Sequence, residues 1–223
     1  MIDLHSHLLY GLDDGPESPM ESYEIIKHLS SFGFTELVPT PHKFHMLFNP
    51  SPGDVIEKID SLKRSIIKRF TFEYMCKVDS ILGLENYHEI GLTSKKEKII
   101  LIEFASSVTS KEDIFKKLFA LNSAGIVPLI AHIERYRKSD DFWIECKKRY
   151  RTLFQGCIKT LAKPSYDGRK KQLVRLFDID LIDNMATDIH KATQLSKVEK
   201  GLDFIAKKFG SQSQKFFVDM FPG

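Results

Sequence analysis

The first apolar stretch of the chain, Met1 to Leu4, runs into His5-Ser6-His7, and Asp188-Ile189-His190 stands far downstream with a similar spacing of ionisable groups. In an extended strand side chains alternate, so residues two apart point the same way and can hold one ion between them. A lone His-x-His is more often structural or exposed than ligating, but further candidates accompany this one. Asp13 and Asp14 lie in a Gly- and Pro-rich loop, His42 follows Leu37 to Pro41, Glu103 follows Ile99 to Ile102, and His132 follows Val127 to Ala131. Each stands at or just past the end of an apolar run or in the loop beyond it. Mixed imidazole and carboxylate ligands suit manganese, iron or zinc, and several can build a site of two or three ions. Adjacent ions generate hydroxide near neutral pH and clamp the attacking and leaving oxygens of a phosphoryl group.

Each residue also has a plainer reading. Asp13 and Asp14 alone would be turn residues, because Asp bonds its own backbone there. His45 reads as an exposed loop histidine. Glu103, after four apolar residues, should be buried, and a buried charge needs a partner. Arg135, in His132-Ile133-Glu134-Arg135-Tyr136, has a planar fork that could grip phosphate oxygens or pair with Glu134 or another acid.

Positioning such ligands requires strands that end at a common face. Short apolar runs alternate with helix-like segments, the pattern of a mostly parallel sheet covered by helices. The runs predict strands over Ile2 to His5, Thr35 to Thr40, Phe70 to Met75, Ile99 to Glu103, Ile126 to Ala131, Thr152 to Gln155 and Leu181 to Asp183. Helices are predicted over Ser18 to Ser31, Pro52 to Arg69, Lys111 to Ala124, Asp140 to Arg149, Gly168 to Leu176 and Lys191 to Phe209. In the first helix, Tyr23, Ile26, Leu29 and Phe32 form the expected core stripe. In parallel α/β barrels the loops after the strands converge at one face, so ligands scattered through the sequence can meet there.

With 223 residues the chain fits one α/β domain, 1–223, whose last stretch, 209–223, reads as a loosely packed tail or one packed against a neighbour. Basic residues number 33 and acidic residues 30, a net charge of +3, and the basic ones are dispersed. That gives little support to a nucleic-acid partner or to membrane binding. Cys76, Cys146 and Cys157 have neither zinc-finger spacing nor the density of a secreted disulfide scaffold, and no apolar run reaches membrane-span length. A cytoplasmic location is expected, without direct membrane insertion.

The ordered motifs Met1-Ile2-Asp3-Leu4-His5-Ser6-His7, Asp13-Asp14-Gly15, Thr40-Pro41-His42, Leu101-Ile102-Glu103-Phe104, Ala131-His132-Ile133-Glu134-Arg135-Tyr136 and Thr187-Asp188-Ile189-His190 resemble those of the polymerase and histidinol phosphatase (PHP) superfamily. Within it, they are most similar to the manganese-dependent tyrosine-protein phosphatases of bacterial capsule and exopolysaccharide systems. The resemblance implies a distorted TIM-like (β/α)7 barrel. It also implies a phosphotyrosine protein as substrate, in particular a bacterial tyrosine kinase controlling polysaccharide export. His5, His7 and Asp188 would hold one ion, Glu103 and His132 a second, and Asp14, His42 and His190 a third, with Arg135 binding phosphate. The ions would be Mn2+, with iron or zinc as alternatives, and a metal-bound hydroxide would attack phosphorus in line without a covalent phosphoenzyme. The residues six after the three cysteines are Leu82, Thr152 and Lys163, so the Cys-x5-Arg loop of cysteine-based phosphatases is absent.

One position departs sharply from the family pattern. Lys77 occupies the place of a glutamate that bridges two ions, and an ammonium cannot ligate a metal. Three readings stay open: a local shift that brings in Glu73 or Asp79, carboxylation of Lys77 to a carbamate, or replacement of an ion by the amine. Ile133, Ile189 and Ile158-Lys159-Thr160-Leu161 also differ from the usual residues, altering packing without removing a ligand. The alternatives to a phosphotyrosine phosphatase are therefore a small-molecule phosphomonoesterase and a catalytically impaired protein that binds phosphorylated partners.

Overall fold

In the computed structural model, described over residues 1–62, 69–70, 75–77, 92–93, 98–104 and 110–217, parallel strands alternate with helices. The strands are β1 (Ile2–Ser6), β2 (Glu36–Pro39), β3 (His42–Lys43), β4 (Arg69–Phe70), β5 (Met75–Lys77), β6 (Leu92–Thr93), β7 (Lys98–Glu103), β8 (Ile126–Ile130), β9 (Leu153–Cys157) and β10 (Asn184–Ala186). The helices are α1 (Pro19–Ser31), α2 (Pro52–Leu62), α3 (Lys111–Ser123), α4 (Asp140–Tyr150), α5 (Ile158–Leu161), α6 (Gly168–Asp178) and α7 (Leu195–Phe209).

Helix starts follow from local chemistry. Ser18, Ser110 and Ser139 each accept a backbone N–H of the first turn of α1, α3 and α4, and Asp167 accepts two at α6. Such caps satisfy N–H groups that have no intrahelical partner. Pro19 follows the cap of α1, where its missing N–H costs nothing.

Among the described residues the strands form two sheets, not one closed ladder. One has the order β1-β2-β4; the other runs β10-β9-β8-β7-β5-β3, with β6 antiparallel on β7. The two meet where β1 lies beside the end of β10. His7 donates its backbone N–H to Ile189 O at 2.9 Å and Asp188 donates to His5 O at 2.8 Å. Buried Asp3 reinforces the join, accepting from Thr187 N at 3.0 Å and Thr187 Oγ1 at 2.6 Å.

Alternate strand residues serve two cores. Ile2, Leu4, Val38, Ile99, Leu101, Val127, Leu129 and Ala131 form a compact cluster, while Leu37, Ile100, Ile102, Ile126 and Ile130 face the helices in the larger one. Strands apolar on both faces are what a parallel sheet covered on both sides requires. In β7, Glu103 continues the odd-numbered series Ile99, Leu101, which brings its carboxylate out at the strand's carboxyl end.

Several expectations are corrected. The last strand is Asn184–Ala186, not Leu181 to Asp183. Leu181 and Ile182 are buried in the connection after α6, whereas polar Asn184 sits in the strand because its amide oxygen and nitrogen are each hydrogen-bonded. In α1 the buried stripe is Ser22, Ile25, Ile26 and Leu29; Tyr23 is exposed. Arg69 belongs to a strand, so the helix predicted to reach it does not. The 209–223 segment is no loose tail over its described part: residues Gly210–Phe217 form a 3-10 helix that buries Phe216 and Phe217.

Candidate metal centre

The ends of β1, β7 and β8, the segment after β10, the start of β3 with His42 and the loop holding Asp14 bring the sequence-predicted ligands to one end of the sheets. Two carry left-handed backbone conformations, His132 at φ 37° and Asp188 at φ 49°. Non-glycine residues rarely adopt that region, and where they do the surroundings hold them against a small energetic cost, often at a functional site. Here each stands two residues past the end of a strand.

Two groups of donor atoms converge, the atoms of each lying within 4.8 Å of one another: His5, His7 and Asp188 in one, His7, Asp14, His42 and His190 in the other. The Nε2 atoms of His5 and His7 are 3.3 Å apart, and Asp188 Oδ1 lies 3.5 and 3.9 Å from them. Asp14 Oδ1 lies 3.7 Å from His42 Nε2 and 3.5 Å from His190 Nε2. Nearby, His132 Nε2 is 3.7 Å from Glu103 Oε2, and the His132 and His5 ring centroids are 5.8 Å apart. His45 stacks on Phe48 beside His42.

The outer contacts orient these rings. His5 Nδ1 bonds Gln155 Oε1 at 2.7 Å, His7 Nδ1 bonds Asp13 Oδ2 at 2.6 Å, and His190 Nδ1 bonds Asp188 O at 2.9 Å. Each acceptor fixes the proton on Nδ1 and turns Nε2 toward the cluster, the arrangement found around metal-bound imidazoles. Buried His132 Nδ1 has no hydrogen-bond partner. An orphaned buried nitrogen is uncommon in a folded protein and fits a ligand atom. The donor set therefore suits divalent transition ions.

Electrostatics favours the neutral ring for His5, His42, His132 and His190. Burial holds His5 well below the usual imidazole range, and it lowers His42 to about 4 and His132 to about 3, with nearby His7 and Arg135 respectively adding to the effect. His190 is lowered too, first by burial and then by His7. Neutral imidazoles are the form that binds metal. For His7, burial also acts downward, but the hydrogen bond and charge of Asp13, with Asp188 and Asp14, outweigh it and raise the ring. Burial would raise Asp188; the charges of His5, Lys159, Arg135 and His132 prevail and keep it well below the carboxylate range.

Asp13 is an orienting residue in this geometry. Its carboxylate accepts from His7, from His42 N at 3.1 Å and from Gly15 N at 2.9 Å. Gly15 is required by close approach, because a Cβ there would stand 2.1 Å from His7 O.

Beside the cluster, Arg135 donates to Asp188 Oδ2 at 2.5 Å and is 40% exposed, so its fork is held at the mouth of the site. Its pairing is with Asp188, not Glu134. Glu134 turns inward, accepting from Thr160 Oγ1 at 2.7 Å and from Cys157 N. Lys159 does more than alter packing: its ammonium donates to Asp188 O and to Gln194 Oε1 at 2.8 Å and lies 3.7 Å from Asp188 Oδ2.

Lys77 ends β5, where the backbone register pairs it with Glu103. Strand β5 thus delivers position 77 to the level of a candidate ligand. Glu73 and Asp79 lie outside the described residues.

Gln155 and Lys159 were not predicted as site residues, since their partners are 150 and 29 positions away. The only local signal for Gln155 is an amide within an otherwise apolar strand.

The capsular polysaccharide synthesis family CpsB/CapC matches residues 1–220. The tyrosine-protein phosphatase CpsB of Streptococcus pneumoniae is 31% identical over 242 residues, covering 98% of this chain and 96% of the relative. The tyrosine-protein phosphatase YwqE of Bacillus subtilis (strain 168) is 28% identical, covering 95% and 86%. A solved chain from crystal structures of YwqE from Bacillus subtilis and CpsB from Streptococcus pneumoniae, described as unique metal-dependent tyrosine phosphatases, superposes with a TM-score of 0.74 at 23% identity over 96% of this chain and 89% of that one.

Proposed function

Because this chain belongs to the CpsB/CapC family of capsular polysaccharide synthesis, we propose that it is a metal-dependent phosphatase of phosphotyrosine proteins. Its fold is the α/β fold of the PHP type. The observation that carries the proposal is the convergence of His5, His7, Asp14, His42, Asp188 and His190 with an arginine fork at the mouth of the same cluster.

In this reading His5, His7 and Asp188 hold one ion, Glu103 and His132 a second, and Asp14, His42 and His190 a third. Manganese is the first choice, with iron or zinc as alternatives. Bound divalent ions supply a nucleophilic hydroxide near neutral pH and neutralise phosphate charge. Arg135 takes two phosphate oxygens through its planar fork, which matches phosphate geometry as an ammonium cannot. Asp13, Gln155 and the Asp188 carbonyl hold three imidazoles in fixed tautomers, so the donor set needs little rearrangement. The tyrosine phenolate departs readily, since the tyrosine phenol has a pKa of about 10. Burial pushes the Cys157 thiol upward, which disfavours a thiolate nucleophile beside the site.

The partner proposed is a bacterial tyrosine kinase controlling polysaccharide export, met in the cytoplasm. No helix among the described residues is long and apolar enough to cross a membrane. Lys77 at the bridging position favours one second reading, a protein that binds phosphorylated partners with impaired turnover. Hydrolysis of a phosphotyrosine peptide, compared with histidinol phosphate and a nucleotide by the manganese-loaded protein, tests the proposal. Preference for the peptide supports it; preference for the small phosphates assigns a phosphomonoesterase, and binding without turnover assigns the impaired reading.

A further inference from the structure

A cleft of about 350 Å3 is lined by Arg135 and Asp188 together with residues of α5, α6 and α7. Its charged lining comprises Arg135, Lys159, Lys163, Arg169 and Lys197 against the single carboxylate of Asp188. Five cations and one anion give this surface an excess of four positive charges, in a chain whose whole net charge is +3. Arg135 and Lys159 are engaged by Asp188, and Lys163 pairs with Asp167 at 3.2 Å. Among the described residues no carboxylate pairs with Arg169 or Lys197, both of which are exposed.

We infer that this cleft receives a second anionic group of the phosphotyrosine-bearing chain, so that the protein selects substrates with an acidic side chain or another phosphate near the scissile phosphotyrosine. The inference rests on the phosphatase reading for its orientation, with the scissile phosphate at Arg135. One phosphate monoester carries about two negative charges and is met by Arg135 and the metal ligands' ions. Arg169 and Lys197 are then surplus to that phosphate. The volume also exceeds what a phosphate needs and falls in the range of pockets that hold larger groups. Clustered charge of one sign in a concave surface raises the local concentration of an oppositely charged ligand and loses that effect with salt. A carboxylate and a phosphate present the same anionic oxygens to these side chains, so both are included.

The test uses the manganese-loaded full chain and three phosphotyrosine peptides of one core sequence, flanked by glutamates, by a second phosphotyrosine or by glutamines, with a fourth, lysine-flanked peptide for the charge-reversed variant. At low salt the anionic peptides should exceed the glutamine peptide in kcat/KM by about tenfold, through KM, the sum expected of two exposed ion pairs. That ratio should approach one in high salt and in an R169Q/K197Q variant. A second variant, R169E/K197E, should favour lysine-flanked peptides. Comparing the first two peptides separates carboxylate from phosphate as the preferred group. Equal kcat/KM for all three peptides, or a preference untouched by both variants, overturns the inference. If no peptide is hydrolysed the phosphatase reading fails, and the cleft is then read separately by anisotropy of fluorescent, non-hydrolysable phosphonate versions of the peptides. Tighter, Arg169- and Lys197-dependent binding of the anionic versions upholds the cleft; equal binding overturns it.

Discussion

His5 and Gln155, separated by 150 positions, are joined by a 2.7 Å hydrogen bond from imidazole Nδ1 to amide Oε1. Its direction is fixed from outside. Asn184 donates its amide to Phe216 O at 3.0 Å and accepts from Gln155 Nε2 at 2.9 Å, which leaves Gln155 Oε1 as the acceptor for His5. A backbone carbonyl of the C-terminal 3-10 helix thus determines which nitrogen of a candidate ligand faces the metal cluster.

Replacing Gln155 with Leu removes that constraint while keeping a side chain of similar size. Manganese affinity should fall about 10- to 100-fold, the usual effect of losing an outer partner of a metal-bound imidazole. Metal titration by calorimetry checks this, and unchanged affinity would mean that His5 does not ligate or does not need orienting.

Arg135 is held at 2.5 Å from Asp188 at the mouth of the cluster. Arg135→Gln should lower kcat/KM on a phosphotyrosine peptide by about 10²- to 10³-fold, as expected for one stabiliser of phosphoryl charge. Arg135→Lys should recover only part of the loss, because an ammonium cannot form the bidentate contact. Steady-state kinetics of the two variants, with metal content measured alongside, would read this.

Phe216 is buried among Phe177 and Phe209, with ring centroids 5.0 Å from each. Phe216→Ala should destabilise the fold by about 3–5 kcal/mol, the range for deleting a buried aromatic side chain. A denaturant titration giving less than about 1 kcal/mol, well below that range, would show that the segment is not part of the core.

Position 77 tests the bridging site. Lys77 is in register with Glu103, so Lys77→Glu should place a carboxylate at the level of a candidate ligand and raise manganese affinity by about tenfold or more. If the natural lysine is carboxylated, bicarbonate should raise turnover of the unaltered protein and leave the variant unaffected. Loss of metal on Lys77→Glu would place the bridging function elsewhere.

The candidate donors His5, His7, Asp14, His42, Glu103 and His132 were legible because each stands at or just past the end of an apolar run, or in the loop beyond it, and strand alternation tells which neighbours share a face. Asp188 and His190 were found from their spacing and the family resemblance, because the strand before them was misplaced. The orienting layer was not legible: Gln155 and Lys159 acquire their roles from partners that the fold brings together. The last strand was misplaced for a related reason. Apolar Leu181 and Ile182 look more strand-like than Asn184, yet Asn184 can be buried in β10 because Gln155 and Phe216 O satisfy its amide. In the C-terminal segment the polar Gly-Ser-Gln-Ser-Gln stretch outweighed the adjacent Phe216-Phe217, which proved to be core residues.

The most direct measurement is to strip the purified protein of metal, restore manganese stepwise, and follow bound ions and phosphotyrosine-peptide hydrolysis together. The account predicts negligible turnover without metal and activity that rises as more than one manganese ion binds per chain. Hydrolysis that persists after the metal is removed, or full metal binding with no hydrolysis, would contradict it.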